Sequence, residues 1–215
     1  MNERAMGRDL ISIGNGFGLG DSGIHRTRMV IHRFEDEKTF ERVSPILKDV
    51  NEIYFVSSQE EIDKVLAEEK EFLEAFSFKT SFNERNNLLL NTGINALWNA
   101  LGGTALADPF NGTYTRIGVG DSTTAAAATQ TGLQSTTNTA FQQVASGYPT
   151  VGSNQQLVAQ SVFGSTAANF AWNEFVVDNG QGNTGTITAI NRLVSAQGTK
   201  ASGQVWTVTM TITIS

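Results

Sequence analysis

Residues 118–122 read Gly-Val-Gly-Asp-Ser, a pattern found in hydrolases whose serine sits on a tight turn and attacks an ester. Such a serine needs a neighbouring base, which is usually a histidine. The chain has 2 histidines, His25 and His32, and both lie in a different, strongly charged part of the sequence. We therefore expect a turn in which Asp121 or Ser122 caps the residues that follow, without hydrolase activity.

Two other patterns raise the question of metal or phosphate binding. His25 and His32 stand among arginines, but no third ligand follows at a spacing typical of a metal site. Glycine occupies every second position from Gly14 to Gly20, yet no Lys-Ser/Thr pair follows as in a phosphate-binding loop. The sequence therefore predicts surface or interface histidines and a flexible glycine-rich segment, and we assign no catalytic, cofactor-binding or metal-ligating residue.

Carboxylates are scarce in the C-terminal part of the chain, where glycoside cleavage would require a pair of them. Residues 86–215 contain Asp108, Asp121, Glu174 and Asp178. Glu174 stands close to Trp172, a combination that sugar-binding strands can have, although the apolar neighbours of Trp172 favour a place in the core. An enzyme that acts on envelope sugars is thus the least favoured functional class, and we expect the protein not to be an enzyme.

The overall composition narrows the partners. A formal net charge of -6 and a pI of about 4.9 disfavour binding to phosphate backbones, which requires clustered Lys and Arg. With no cysteine, the chain has no disulfide framework and no thiol nucleophile. No run approaches the roughly 20 apolar residues of a membrane span, and the first residues lack the apolar core of a signal peptide. We expect neither nucleic acid nor a membrane as partner.

Charge is distributed very unevenly along the chain. Residues 1–85 carry 17 acidic and 12 basic side chains, whereas residues 86–215 carry 4 and 3. This change predicts two regions, a charged N-terminal arm and helical region over 1–85 and a helix with a low-charge β domain over 86–215. A surface of Ser, Thr, Asn, Gln and Gly suits a protein that works outside the cell or packed against neighbouring subunits.

Two helices are predicted from apolar spacing. Ser58 and Glu61 form a capping box that begins a helix over about 59–76. Apolar residues at helical spacing predict a second helix over 90–101, stopped by a pair of glycines. Trp98 belongs to this apolar spacing, so we expect it in a core.

Alternating patterns beyond residue 113 predict β-strands. The clearest runs to the C-terminus, where Trp206 and every second residue after it are apolar and the residues between them are Thr or Ser. Short connections imply antiparallel pairing. We predict a mainly β fold, an antiparallel, jelly-roll-like β-sandwich preceded by an N-terminal arm and one or two helices. The predicted strands are 114–119, 156–163, 169–177, 184–194 and 206–215.

Four sequence blocks resemble a family of virion structural proteins of tailed bacteriophages. In order along the chain, the blocks are residues 87–95, 116–127, 168–174 and 198–200. The resemblance covers about residues 86–215 and brings no catalytic residues with it. It implies a component of the virus particle, made in the host cytoplasm.

Two places on the particle are compatible with this resemblance. As a capsid decoration or cement protein, the chain would bind the major capsid protein at the outer surface of the capsid. It would assemble with copies of itself, with a trimer as the first expectation, and its arm would clamp neighbouring subunits. As a tail, baseplate or fibre component, it would contact the host surface and bind carbohydrate there. A short chain without fibre repeats and with a distinct arm favours decoration.

Overall fold

The computed structural model describes residues 25–53, 78–85, 88–104, 106–152, 155–182 and 185–214. The glycine-rich segment and the helix predicted over 59–76 lie outside these ranges. Two helices are described, α1 (Glu37–Ile53) and α2 (Asn91–Leu101). The strands are β1 (His25–Phe34), β2 (Phe78–Arg85), β3 (Leu88–Leu89), β4 (Arg116–Gly120), β5 (Thr139–Gln143), β6 (Thr150–Val151), β7 (Gln156–Phe163), β8 (Glu174–Asp178), β9 (Ala189–Val194) and β10 (Val205–Ile214).

These strands form two five-stranded sheets. Sheet A has the order β2-β1-β10-β7-β6, and sheet B has the order β3-β9-β8-β4-β5. Every neighbouring pair of strands is antiparallel. The prediction of a mainly β, antiparallel sandwich with few helices is therefore confirmed.

One apolar core lies between the sheets and takes residues from both. β10 contributes Trp206, Val208, Met210 and Ile212, as its period of two predicted. The ring of Trp172 is fully buried and lies edge-on to Phe163 and Trp206, each with its centroid 4.8 Å away. The Trp172 indole N–H donates to the carbonyl of Ala168 at 2.9 Å, so its polar atom is satisfied. Trp172 is thus a core residue, as expected.

The N-terminal charged region contributes two strands to the sandwich. β1 lies between β2 and β10, and its register with β10 runs from His25 opposite Ile214 to Phe34 opposite Val205. The sandwich therefore includes His25–Phe34 and Phe78–Arg85 of the charged region, and the composition change near residue 85 falls between β2 and β3. β1 was not predictable from the sequence, because arginines and histidines interrupt its apolar alternation.

The two helices cover parts of the outer faces of the sandwich. At the start of α1, the carboxylate of Asp36 accepts a hydrogen bond from the Thr39 N–H at 2.7 Å, a typical N-cap. α2 confirms the helix predicted over 90–101, and it ends at Gly102 as its glycine pair indicates. Neither described helix is long and apolar enough to cross a membrane.

Candidate interaction surface

The Gly-Val-Gly residues of this segment form the end of β4, and Asp121 and Ser122 begin a loop without regular secondary structure where a turn was expected. The Ser122 hydroxyl accepts a hydrogen bond from the Thr124 N–H at 3.2 Å, although the residues that follow are not helical. His25 and His32 both lie in β1 of sheet A, whereas Ser122 follows β4 of sheet B. His32 also alternates with core residues of β1, so its side chain points away from sheet B. It is nevertheless buried, so the prediction of a surface or interface position is wrong for His32. The structure therefore brings no histidine to Ser122.

A fully buried ion pair lies on the outer face of sheet B. Glu174 of β8 and Arg192 of β9 have no solvent-exposed side-chain surface, and the Arg192 Nη2 lies 2.7 Å from the Glu174 Oε2. The Arg192 Nε donates to the same oxygen at 2.9 Å. Gly120 of β4 makes room for this pair, because a Cβ at that position would lie 2.5 Å from the Glu174 Oε1. The three strands thus share one charged cluster.

Residues 121–138, here called the cover loop, fold over this ion pair. The backbone N–H groups of Gln134 and Ser135 donate to the two Glu174 carboxylate oxygens at 2.8 and 2.7 Å. Arg192 donates to the Thr124 carbonyl at 2.9 Å. It also donates to the side-chain oxygen of Gln130 at 3.0 Å. Hydrogen bonds from the cover loop therefore satisfy the two buried charges, and the same bonds hold in place a loop that has no regular secondary structure.

This geometry speaks against the chemistry considered for Glu174. A carboxylate that accepts hydrogen bonds from a guanidinium and two backbone N–H groups in a closed site has no access to a substrate. Glu174 and Trp172 are both fully buried, so they offer no surface to a sugar. The interpretation of this pair as a carbohydrate-binding site is therefore wrong. Across the described ranges, no group of three potential ligands could hold a metal ion.

Other charged side chains of residues 86–215 also bind partners within the chain. Arg116 pairs with Asp178 at 2.6 Å and lies 3.9 Å from the centroid of the Phe141 ring. Lys200 is buried and donates to the Gly164 carbonyl and the Asn169 side chain, each at 2.8 Å. Burial lowers the pKa of Lys200 to about 8.

Asp121 completes this set of internal charges. It accepts hydrogen bonds from the Ser135 hydroxyl and the Asn138 amide, and these lower the pKa of its carboxyl group. The 4 acidic and 3 basic side chains of residues 86–215 are accordingly all buried or half-buried. They are Asp108, Arg116, Asp121, Glu174, Asp178, Arg192 and Lys200. The fully exposed residues of this part of the chain, among those described, are therefore uncharged, and only Arg116 and Asp121 reach the surface in part.

α2 packs very closely on β9 through small residues. Gly93 and Ala96 are its buried positions, and a Cβ on Gly93 would lie 2.6 Å from the Ile190 Cα. The Thr92 hydroxyl donates to the Ala189 carbonyl at 2.7 Å and fixes the first turn of the helix to the same strand. The small side chains therefore decide which side of α2 faces the sandwich.

The large apolar residues of α2 point elsewhere. Leu97, Trp98 and Leu101 are 41%, 67% and 78% exposed, and with the half-buried Ile94 they stand at positions i, i+3, i+4 and i+7. We call these four residues the α2 apolar face. The prediction that Trp98 lies in a core is therefore wrong. A sequence signal was present, because α2 has one apolar side made of small residues and another made of large ones.

Comparisons of the chain with protein families, with curated proteins and with solved structures find no match. The class of protein is thus defined by the fold alone, an antiparallel β-sandwich. Its candidate functional surface consists of the α2 apolar face and the uncharged exterior around it.

Proposed function

We propose that this protein is a non-enzymatic structural component of a tailed-bacteriophage particle, and that it decorates the capsid by binding the major capsid protein from outside. The observation that carries the proposal is the placement of charge. The charged side chains of residues 86–215 are all buried or half-buried, so the surface that this region contributes is mostly polar and uncharged. The resemblance of four blocks in this region to phage virion proteins supports the same conclusion.

A neutral polar surface suits close packing of many identical subunits. Neighbouring copies approach without long-range repulsion, and hydrogen bonds between uncharged side chains then fix their geometry. Buried charges that hold the cover loop also give a rigid exterior, because the loop cannot move without exposing the ion pair. A homotrimer is the assembly that we propose, with the N-terminal arm as the clamp on neighbouring capsid subunits.

The decisive experiment is a count of copies per particle. Purified particles of the phage that encodes the chain are digested, and labelled reference peptides quantify this protein against the major capsid protein. A ratio approaching one copy per capsid subunit supports a decoration protein. A few dozen copies or fewer per particle would assign it to the tail, collar or fibres, and absence from the particle would refute a virion role.

The assembly state has its own test. Sedimentation of the purified protein at capsid-like concentration should give the mass of a trimer. The same measurement at low and high salt should give the same result, because contacts between neutral surfaces are not screened. A monomer under both conditions would contradict self-association, and salt-driven dissociation would contradict contacts without charge.

A further inference from the structure

The α2 apolar face gathers half of the exposed large apolar side chains in the described part of the chain. Six such side chains are exposed there, and Leu97, Trp98 and Leu101 are three of them. The others belong to three separate segments and are Val151, Ile187 and Ile214. The α2 residues lie on neighbouring turns, so they form one patch of roughly a few hundred Å², the size that marks interaction sites.

The spacing of this face is typical of a helix that packs against other helices. Ile94, Leu97 and Leu101 stand at positions i, i+3 and i+7, and Trp98 lies beside them at i+4. Large apolar residues at intervals of three and four form the seam along which helices pack side by side. The exposed ridge of α2 is also convex, and the grooves between the side chains of another helix fit such a ridge. We therefore expect a helix as the partner of this face.

Charge restricts which helix can occupy this place. α2 contains no charged residue, so a charged side chain placed against its apolar face would be buried without a partner, which is costly. The described exposed side of α1 carries Glu37, Lys38 and Glu41. The exposed side of α2, in contrast, is apolar and uncharged. Of the two described helices, α2 of another copy is therefore the one that fits this face.

The area of the contact favours three copies over two. Two faces bury roughly 600–800 Å² together, which is below the about 1,200 Å² of a specific, stable interface. Three faces that meet at one axis bury about half as much again, and each helix then covers both flanks of its ridge. The cover loop adds uncharged surface beside the helix, because the Asn91 N–H donates to the Ala128 carbonyl at 2.8 Å and holds the loop against the start of α2.

We propose that the α2 apolar faces of three copies pack against one another around a threefold axis. Ile94, Leu97 and Leu101 face the axis, and Trp98 covers the flank of the neighbouring helix. This contact rests on the self-association proposed above and assigns it to a surface. It does not depend on where the protein lies on the particle.

Substitution of exposed side chains tests the contact. Leu101→Ser and Trp98→Ser remove apolar surface that the single chain exposes to solvent, so folding should be unaffected. In sedimentation at a series of concentrations, each variant should need at least about tenfold more protein than wild type to form trimers, because burial of one such side chain contributes at least that much. Val151→Ser is the matched control, since Val151 is 60% exposed but lies in β6 at the edge of sheet A.

Engineered cysteines test the symmetry of the contact, since the chain has no cysteine of its own. Leu97 lies in the middle of the face, so Leu97→Cys should form intermolecular disulfides under mild oxidation several-fold faster than Val151→Cys. One disulfide joins only two of three subunits, so the linked fraction should level off at about two thirds of the chains. Equal rates for the two variants would overturn the contact, and complete conversion to dimers would overturn the threefold arrangement.

Tryptophan fluorescence gives an independent measurement. The chain has 3 tryptophans, and Trp172 and Trp206 are only 0% and 3% exposed, so quenching by acrylamide reports mainly on Trp98. Dilution that dissociates the trimer should raise the quenching constant, because the quencher then reaches the Trp98 indole. The Trp98→Phe variant should show no such rise. Constant quenching of the wild-type protein during dissociation would contradict the contact.

The outcomes separate this contact from self-association itself. A trimer that is weakened no more by Leu101→Ser and Trp98→Ser than by Val151→Ser would overturn the α2 contact and leave the trimer standing. A wild-type monomer at every concentration would overturn both. If that monomer bound purified capsids and Trp98→Ser abolished the binding, the face would belong to the major capsid protein, and contact between copies would again be overturned. The count of copies per particle decides only the place of the protein on the particle.

Discussion

The outer faces of the two sheets are covered in opposite ways. On sheet A, α1 packs Phe40 and Val43 against Phe34 and Val205, and its described charged side chains are exposed. On sheet B, the cover loop encloses the Glu174–Arg192 pair, and the fully exposed residues of this loop are uncharged. Glutamate and arginine side chains therefore face water on the sheet A side of the molecule. On the sheet B side, they are buried and hold the cover loop in place through hydrogen bonds.

This contrast separates two uses of charge. Exposed charges on α1 cost little to place and contribute little to stability, because water and salt screen them. A buried pair carries a large desolvation cost that only complete pairing offsets, so the loss of one partner is severe. The covers of sheets A and B should accordingly respond very differently to the same substitution.

The largest effect should come from Glu174→Gln. This change keeps the shape of the side chain but leaves the Arg192 guanidinium buried without a counter-charge. We expect the free energy of unfolding to fall by about 3–5 kcal/mol, measured by denaturant titration. A loss below about 1 kcal/mol would show that the cover loop does not depend on the ion pair.

Acid should destabilise the protein through His32 in β1 of sheet A. Burial lowers the pKa of His32 from its ordinary 6.5 to about 4, so the unfolded chain binds the proton more tightly than the folded protein. The contribution of His32 is complete above pH 6.5 and is lost as the pH falls through 4. Between pH 7 and pH 4 we expect a loss of about 3 kcal/mol.

The wild-type protein contains other groups that titrate over this range, so His32→Gln provides the comparison. Unfolding titrations of both proteins across the same pH values isolate the histidine, and the variant should show the shallower pH dependence. Identical pH dependence in the two proteins would contradict a buried, neutral His32.

A smaller effect is expected where α2 meets sheet B. Gly93→Ala places a Cβ 2.6 Å from the Ile190 Cα, so the helix must move away from β9. We expect a loss of about 1–3 kcal/mol in thermal unfolding. The control is Gly102→Ala, whose Cβ would lie 3.4 Å from the nearest atom and should change stability by less than about 0.5 kcal/mol. Equal effects would mean that the close approach of α2 is not required.

The smallest effect should come from Glu41→Gln on α1. Glu41 is exposed, so we expect the free energy of unfolding to change by less than about 0.5 kcal/mol. The measurement is the denaturant titration used for Glu174→Gln, with the same chemical change on the opposite cover. A loss comparable to that of Glu174→Gln would remove the contrast between the two covers.

Elements with a strong local period were predictable from the sequence. β7, β10 and α2 match their predicted ranges closely, because their apolar residues repeat at a spacing that only one secondary structure satisfies. β8 and β9 begin about five residues later than predicted. The residues before β8 instead make isolated contacts with the chain that follows β9, with the Trp172 N–H donating to the Gly198 carbonyl at 2.9 Å.

The cover loop and the orientation of α2 were not predictable in the same way. Gln134 and Glu174 are 40 residues apart, and nothing local in either segment indicates that the other will supply its hydrogen-bond partner. The helical spacing around Trp98 predicted the helix correctly, but it placed Trp98 on the buried side of that helix instead of the exposed side. The deciding contact is steric, the close approach of Gly93 to Ile190, and it depends on a strand far along the chain.

The pairing of β1 with β10 also sets an order of events during synthesis. β1 emerges early, yet one of its two neighbouring strands follows about 180 residues later, which takes roughly 10–40 seconds at typical translation rates. During that interval Met29 and Ile31 have no completed core to enter. Sheet A should therefore close last, and the nascent chain should depend on β2 or on a chaperone to keep β1 from aggregating.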